Sequence, residues 1–350
     1  MFLPGLQVVA DDLSGAAECA AALASAASGG GTLVLKGAFP SSGSWAVDTD
    51  SRAHTADEAA AVAAVALSRA GAGRSPGHLL FKKIDSTLRG HVAAELIAAL
   101  NVPGLARAAV VCPALPAQGR TLVKGVLHVH GEPVLQADGR PLDLLRMLGE
   151  VHAQPLLLRP RRAGGATRLS DELRGAIAEG VRAIVIDAQD EEDLCEIANS
   201  LSALCMQLPL LAVGSAGLAA SLASLLRRPT DRVERLQLPQ NDGPVVAVAG
   251  SFSPVTQRQV DALAKLPDVY LVRLAATVWL HEPRQVAQAM AQARLQSAQG
   301  NSVVLAAGGS MPEASSRELV QRMASAAGPL LQGASTVLLT GGDTARAVLD

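Results

Sequence analysis

The sequence predicts an α/β protein of two domains, each a mainly parallel sheet flanked by helices, with the ligand cleft between them. Three observations lead there. Short apolar runs alternate with helical patterns along the whole chain, as parallel strands joined by crossover helices require. A charged and polar segment at 229–244, with three prolines, interrupts the alternation, and the pattern then restarts. Polar or glycine-rich loops recur where a strand hands over to a helix, which is the edge of an α/β sheet where ligands bind. The expected division is 1–230 for the first domain, 231–243 for a linker and 244–350 for the second.

Composition narrows the classes. A chain of 350 residues suits one large or two ordinary domains. Hydrophobic residues make up 49% and aromatics only 2%, so the core is built from Ala, Val and Leu. So few rings argue against stacking of single-stranded nucleic acid. The net charge is -2 and no basic face stands out, so no polyanionic partner is implied. Cys19, Cys112, Cys195 and Cys205 form no CxxC pair and no metal-ligand spacing, so no metal site is expected. They read as inert thiols of a reducing cytoplasm. No signal-peptide pattern and no membrane-spanning apolar run is present, so the expectation is a soluble cytoplasmic protein.

In chain order, 6–10 reads as a strand, Asp11-Asp12-Leu13-Ser14-Gly15 as an acidic turn and 16–27 as a helix. Asp12 or Ser14 can cap that helix, but one cap does not account for two adjacent acids. Strands are expected at 32–35 and 46–50, the second ending in the polar Asp48-Thr49-Asp50-Ser51-Arg52. Thr55 caps a helix over 55–70, with Asp57 and Glu58 in its first turn and Arg69 in its last. A strand at 79–81 enters a loop of charged and small residues, Lys82 to Gly90, and a helix over 92–100 leaves it. Strand 108–112 leads into a Pro/Gly-rich stretch, and 126–134 resembles a small hairpin. Strands at 156–158, 184–187 and 210–213 are separated by helices at 170–179 and 191–204, and a helix over 218–226 closes the domain.

The second domain begins with a strand at 245–249, then Gly250-Ser251-Phe252-Ser253 and a helix over 257–265. Strands at 270–274 and 303–306 flank a helix over 283–299. A last strand, 337–339, runs into Thr340-Gly341-Gly342-Asp343-Thr344. The chain stops at Asp350 as a helix begins, so the natural protein is expected to continue beyond a domain truncated at its C-terminus.

Two charged loops of the first domain, Asp11/Asp12 and Lys82/Lys83/Asp85/Arg89, could together hold a small polar anion. Arg89 suits a carboxylate, whose two oxygens match its planar fork. An aspartate suits sugar hydroxyls and can serve as a general base. Taken alone, the loop at 82–90 is more simply a capped turn, since Asp85, Ser86 and Thr87 are all good N-cap residues. In the second domain, small residues precede helices at Gly250–Ser253 and Gly341–Thr344, where backbone N–H groups can meet phosphate. Neither a GxxxxGK[ST] nor a GxGxxG is present, so a Walker-type NTPase and a Rossmann dehydrogenase are not supported. A domain for a small hydroxy acid beside a domain for phosphates suggests phosphoryl transfer, commonly with Mg2+.

Six segments occur in an order that resembles the four-carbon acid sugar kinase family. They are Ala10-Asp11-Asp12-Leu13-Ser14-Gly15-Ala16; Lys82-Lys83-Ile84-Asp85-Ser86-Thr87-Leu88-Arg89-Gly90; Cys112-Pro113-Ala114 through Gly119-Arg120-Thr121; Gly214-Ser215-Ala216-Gly217-Leu218; Gly250-Ser251-Phe252-Ser253-Pro254-Val255-Thr256; and Thr340-Gly341-Gly342-Asp343-Thr344-Ala345. The resemblance implies an ATP-dependent kinase acting on the 4-hydroxyl of threonate, erythronate or their 3-oxo forms. It implies an N-terminal domain for the sugar acid and a C-terminal domain for ATP. By position, Asp12, Lys82, Asp85, Ser86 and Arg89 would meet the sugar acid, with Asp11 and Lys83 beside them. Ser251, Ser253, Gly341, Gly342, Asp343 and Thr344 would meet the nucleotide. Asp12 is the proposed base and Asp85 its competitor. Family members continue into a further Gly-containing nucleotide segment that this chain does not contain, and Phe252 stands where small residues or cysteine are common. The alternative is a non-catalytic sugar-acid sensor lacking a complete ATP site. A dinucleotide oxidoreductase lacks its glycine fingerprint. A homodimer is left open.

Overall fold

Apolar runs buried on both faces are the strands of a parallel sheet covered by helices, and the computed structural model arranges them in two units, Met1–Arg235 and Leu236–Asp350. It describes residues 2–26, 32–35, 38–40, 43–72, 77–151, 153–160, 165–226, 243–309 and 316–350. The linker expected at 231–243 lies outside the described residues except for Gly243.

The first unit begins β1 (Leu6–Ala10), α1 (Leu13–Ala26), β2 (Thr32–Val34), β3 (Trp45–Asp48), α2 (Ala56–Ala72), β4 (Leu79–Lys83), α3 (Val92–Leu100) and β5 (Ala108–Cys112). A small antiparallel sheet follows: β6 (Arg120–Val123), β7 (Val126–Val129) and β8 (Glu132–Pro133). Then come α4 (Leu144–Gly149), β9 (Leu156–Leu158), α5 (Gly165–Ala178), β10 (Ala183–Ile186), α6 (Glu191–Leu204), β11 (Leu210–Gly214) and α7 (Ala216–Ser224). Among the described residues the main sheet has the order β2-β3-β1-β4-β11-β5-β10-β9, and its neighbours pair in parallel.

Leu6, Val8, Phe81 and Val110 face one core with Leu23 of α1, Leu173 of α5, Leu201 of α6 and Leu222 of α7. Val9, Leu80, Val111 and Val213 face the other, with Leu67 of α2, Leu96 of α3 and Leu148 of α4. The order reverses at β1: the chain leaves it for β2 and β3 on one side and returns to β4 on the other. Such a switch point opens a crevice at the carboxyl ends of the strands. Ala10 pairs with Asp48 of β3 and with Lys83 of β4, so the loops that follow all three strands start level.

Local chemistry accounts for several boundaries. Asp12 Oδ1 accepts from the Gly15 N–H at 3.0 Å, so α1 starts at Leu13, ahead of the expected residue 16. Thr55 and Glu58 form a capping box at α2: Glu58 Oε2 accepts the Thr55 N–H at 3.0 Å, and Thr55 Oγ1 accepts the Glu58 N–H at 3.4 Å. The expectation that Lys82 and Lys83 lie in a loop is corrected. Both belong to β4, which is paired on each side, with β1 and with β11. Their aliphatic stems can complete a central strand while their ammonium groups reach its end. The hairpin expected at 126–134 also has a further strand, β6, which pairs with β7 and makes it three-stranded. The sequence reading missed α4, whose N-cap is Asp143.

The second unit runs β12 (Val245–Ala249), α8 (Pro254–Leu263), β13 (Val269–Ala275), α9 (Ala276–His281), α10 (Pro283–Ala298), β14 (Ser302–Gly308), α11 (Ser316–Leu331), β15 (Thr336–Thr340) and α12 (Gly342–Leu349). Its described strands form a parallel sheet in the order β13-β14-β12-β15. The helices α9 and α11 were not foreseen. Helix α8 starts at Pro254 because Ser253 caps it and proline suits the first helical position. All four cysteines are free, and burial pushes the Cys19 and Cys112 thiols up to about 12. No helix among the described residues is long and apolar enough to cross a membrane.

Candidate active site

The crevice of the first unit gathers Asp11 and Asp12 after β1, Ser51 and Arg52 after β3, Lys83 at the end of β4, and Asp85, Ser86 and Arg89 after it. Arg52 is the centre of the cluster. Its Nε donates to Asp11 Oδ2 at 2.8 Å and its Nη2 to Asp11 Oδ1 at 2.9 Å, a bidentate pair. The same Nη2 donates to Asp12 Oδ1 at 2.9 Å, and Nη1 stands 3.7 Å from Asp85 Oδ1. Three carboxylates thus share one half-buried guanidinium. Burial alone would push the Asp11 carboxyl up. The Lys82 ammonium, the Arg52 hydrogen bond and charge, and Lys83 outweigh it and hold Asp11 below the ordinary carboxylate range.

Asp85 closes its own turn. Its carboxylate accepts from the Thr87 N–H at 2.9 Å, from the Thr87 hydroxyl, from Arg89 Nε at 3.1 Å and from Arg89 Nη2 at 2.6 Å. Burial opposes its charge, but the hydrogen bonds from Arg89 and Thr87 win and hold it well below the usual range. The fork of Arg89, which the sequence suggested for a substrate carboxylate, is turned onto Asp85, with the side chain 70% exposed. Ser86 Oγ accepts from Arg120 Nη1 at 2.6 Å, which brings β6 to the site.

The two lysines part company. Lys82 is 1% exposed and its Nζ lies 2.9 Å from Glu95 Oε2 on α3, which is 2% exposed. Ser51 Oγ donates to Glu95 Oε1 at 2.8 Å, so this buried pair also fastens the loop that carries Arg52. Lys82 therefore sits under the site, turned to Glu95. Lys83 is buried as well, at 4% exposure, yet its ammonium makes no hydrogen bond or ion pair among the described residues. Removing one member of a buried pair strands the other charge. Glu95→Met is thus expected to destabilise the first unit by about 3–5 kcal/mol, and the Lys82→Met, Glu95→Met double variant to recover most of it. Denaturant titration of the two singles and the double checks this; additive losses would remove the coupling.

Arg52, Glu95, Ser51 and Arg120 were not among the residues singled out. Arg52 had a visible signal, since it closes a third polar strand-end loop; Glu95 reads from sequence as an ordinary helical acid.

In the second unit, Ala249 pairs with Thr340, so the loops after β12 and β15 lie side by side. A Cβ on Gly250 would stand within clashing range of Thr344 Oγ1, so glycine there lets the buried Thr344 pack against the neighbouring loop. Gly341 has φ 94°, a conformation that only glycine adopts freely. It leads into α12, whose first turn holds Gly342 and Asp343. Ser253 Oγ accepts the Val255 N–H at 3.3 Å, and Gln257 Nε2 donates to the Ser251 carbonyl at 2.9 Å. These six sequence-predicted residues are thus neighbours. The same edge carries Gly308, the last residue of β14, and Gly309 after it, a glycine pair that the sequence reading passed over.

A family model described as a sugar-binding N-terminal domain matches residues 6–222, and one described as a nucleotide-binding C-terminal domain matches residues 246–350. A D-threonate kinase of Cupriavidus necator is 40% identical over 272 residues, 73% of this chain and 62% of that protein. A D-erythronate kinase of Heliobacterium modesticaldum is 33% identical over 229 residues, 62% of this chain and 49% of its own length. The chain spans less than two thirds of the length of these curated relatives. A crystal structure from Bordetella bronchiseptica, described as a domain of unknown function with bound citrate in a domain-swapped dimer, is 29% identical. It aligns with a TM-score of 0.55 over 99% of this chain and 84% of that one.

Proposed function

We propose, for a chain that belongs to the four-carbon acid sugar kinase family, that it phosphorylates the 4-hydroxyl of a threonate- or erythronate-type acid with ATP as donor. The observation that carries the reading is the presence, at the switch-point crevice of the sugar-binding unit, of a partly exposed carboxylate, Asp12, and a buried ammonium, Lys83, that makes no ion pair among the described residues. Citrate, itself a hydroxy acid, in the Bordetella bronchiseptica relative supports the ligand class. Its domain-swapped dimer supports a homodimer here.

Asp12 takes the proton of the accepting hydroxyl, and the oxygen forms its bond to the γ-phosphorus as the bond to the leaving ADP breaks. Lys83 balances the charge. Arg89 and Arg120, on either side of Ser86, suit the acid's carboxylate, Arg89 by exchanging Asp85 for it. Asp11 and Asp85 hold Arg52 and Arg89 rather than substrate. In the second unit, the N–H groups at Gly341 and Gly342 suit phosphate oxygens, and Ser251, Ser253 and Thr344 line the same edge. Asp343 is exposed beside them. One carboxylate next to a phosphate loop fits Mg2+ carried in on a triphosphate, the mode this ion prefers. That ion, when bound, neutralises charge on the transferred phosphoryl group.

An ADP-release assay across threonate, erythronate and their 3-oxo forms tests the reading. Turnover with at least one is expected. Stabilisation of the protein by these acids with no ADP release and no stabilisation by ATP with Mg2+ would instead leave a sugar-acid sensor.

A further inference from the structure

The geometry points to the small space beside Gly15 as the seat of the accepting hydroxyl, with Gly15 as the positioning residue that keeps it open. This rests on the sugar-acid reading above. Gly15 is buried in the first turn of α1. A Cβ placed on it would stand 2.7 Å from Asp12 Oδ1, 2.7 Å from Lys83 Nζ and 3.2 Å from Lys83 Cγ. A carboxylate and an ammonium therefore border one space that any side chain at position 15 would enter. They do not pair with each other. Asp12 Oδ1 already accepts from the Gly15 N–H and from Arg52, and Lys83 makes no ion pair among the described residues.

A helix cap accounts for Asp12 but leaves the ammonium unexplained, and a buried, unpaired cation is costly in a finished fold. A ligand atom between the two groups removes that cost. The signs of the neighbours choose its chemistry. A carboxylate or phosphate oxygen there would be attracted to Lys83 but repelled by Asp12. A hydroxyl satisfies both, donating its hydrogen to Asp12 and offering a lone pair to Lys83. The same contacts are productive in the transfer: the hydroxyl oxygen gains the bond to phosphorus, its proton passes to Asp12, and Lys83 faces the charge that develops. Asp12 and Lys83 touch the reacting group; Gly15 acts through the room it leaves.

The test is calorimetric binding of threonate and of 2,3-dihydroxybutanoate, the same acid without the terminal hydroxyl, to the whole chain without nucleotide. Wild-type protein is expected to prefer threonate by about ten- to a hundredfold, the worth of hydrogen bonds to charged groups. Gly15→Ala is expected to bring the ratio close to one while leaving the deoxy acid bound within about threefold of wild type. Because the clashing atoms are side-chain ends, folding should survive. Should it not, Lys83→Met reads the same ratio and is expected to collapse it too. A ratio near one in wild-type protein, or a ratio retained in Gly15→Ala and in Lys83→Met, overturns the inference and leaves the sugar-acid reading standing. Failure of wild-type protein to bind either acid overturns both.

Discussion

Asp12→Asn is expected to lower the turnover of the sugar acid by about 10^2–10^4-fold, the usual contribution of a general base, with little loss of folding. Asparagine caps a helix as well as aspartate does, so the bond to the Gly15 N–H and the start of α1 are retained. What is lost is the proton acceptor. Asp85→Asn is expected to behave in the opposite way. The Asp85 carboxylate is saturated by Thr87 and Arg89 and held well below the usual range, so it is a poor base at neutral pH. Its loss frees Arg89 and loosens the turn, so stability and the KM for the acid should suffer while kcat stays within about tenfold. Turnover and melting temperature measured together decide between the two. If Asp12→Asn retained kcat and Asp85→Asn abolished it, the roles assigned here would be exchanged.

The largest effect on stability is expected from Arg52→Met. Removing the guanidinium strands Asp11, which is only 2% exposed, and leaves Asp12 and Asp85 repelling it. A buried partner lost in this way costs about 3–5 kcal/mol, a fall in melting temperature of roughly 10 °C. The loss should depend on pH. In the wild-type fold Asp11 and Asp85 are held below the ordinary aspartate range of about 4. Their contribution is therefore complete above that pH and is lost as pH falls through the folded values. Without Arg52 only Lys82 and Lys83 remain to oppose burial, so Asp11 takes up a proton at a higher pH than in wild type, and protonation relieves it. The gap between variant and wild type should narrow as the pH is lowered from 7 towards 4, as seen by thermal melts across that range. A gap independent of pH would show that Arg52 acts by packing alone.

Some of this was legible in the sequence because local chemistry sets it. The strand at 6–10 and the helix at 191–204 were read to their ends, the first as a short apolar pattern despite Gln7, and the second begins where the structure places Asp190 as its N-cap. The adjacent acids Asp11 and Asp12 announced more than a cap: both hold Arg52, and Asp12 alone also caps α1. Lys82 and Lys83 misled, since two lysines in a row read as solvated. Nothing local reveals that Glu95, thirteen positions on, turns into the same core. Arg52 showed itself only as the end of a polar loop, because its three partners come from two other loops. The helix α9 has no periodic signal of its own and is held by Trp279, whose Nε1 donates to the Ala306 carbonyl at 3.3 Å.

The position of β11 has a consequence for how the molecule comes into being. It lies between β4 and β5, yet residues 84–209 separate it from β4 in the chain and residues 113–209 from β5. Until it is made, the sheet is two halves with open edges, and Lys83 and its neighbours have one flank exposed. Pairing over such separations is slow, because the entropy of loop closure comes before any reward. During synthesis, which proceeds N-terminus first, the crevice cannot be completed before Gly214 has left the ribosome. A nascent chain halted earlier should remain open to protease and to chaperones, and one extended past α7 should abruptly become resistant.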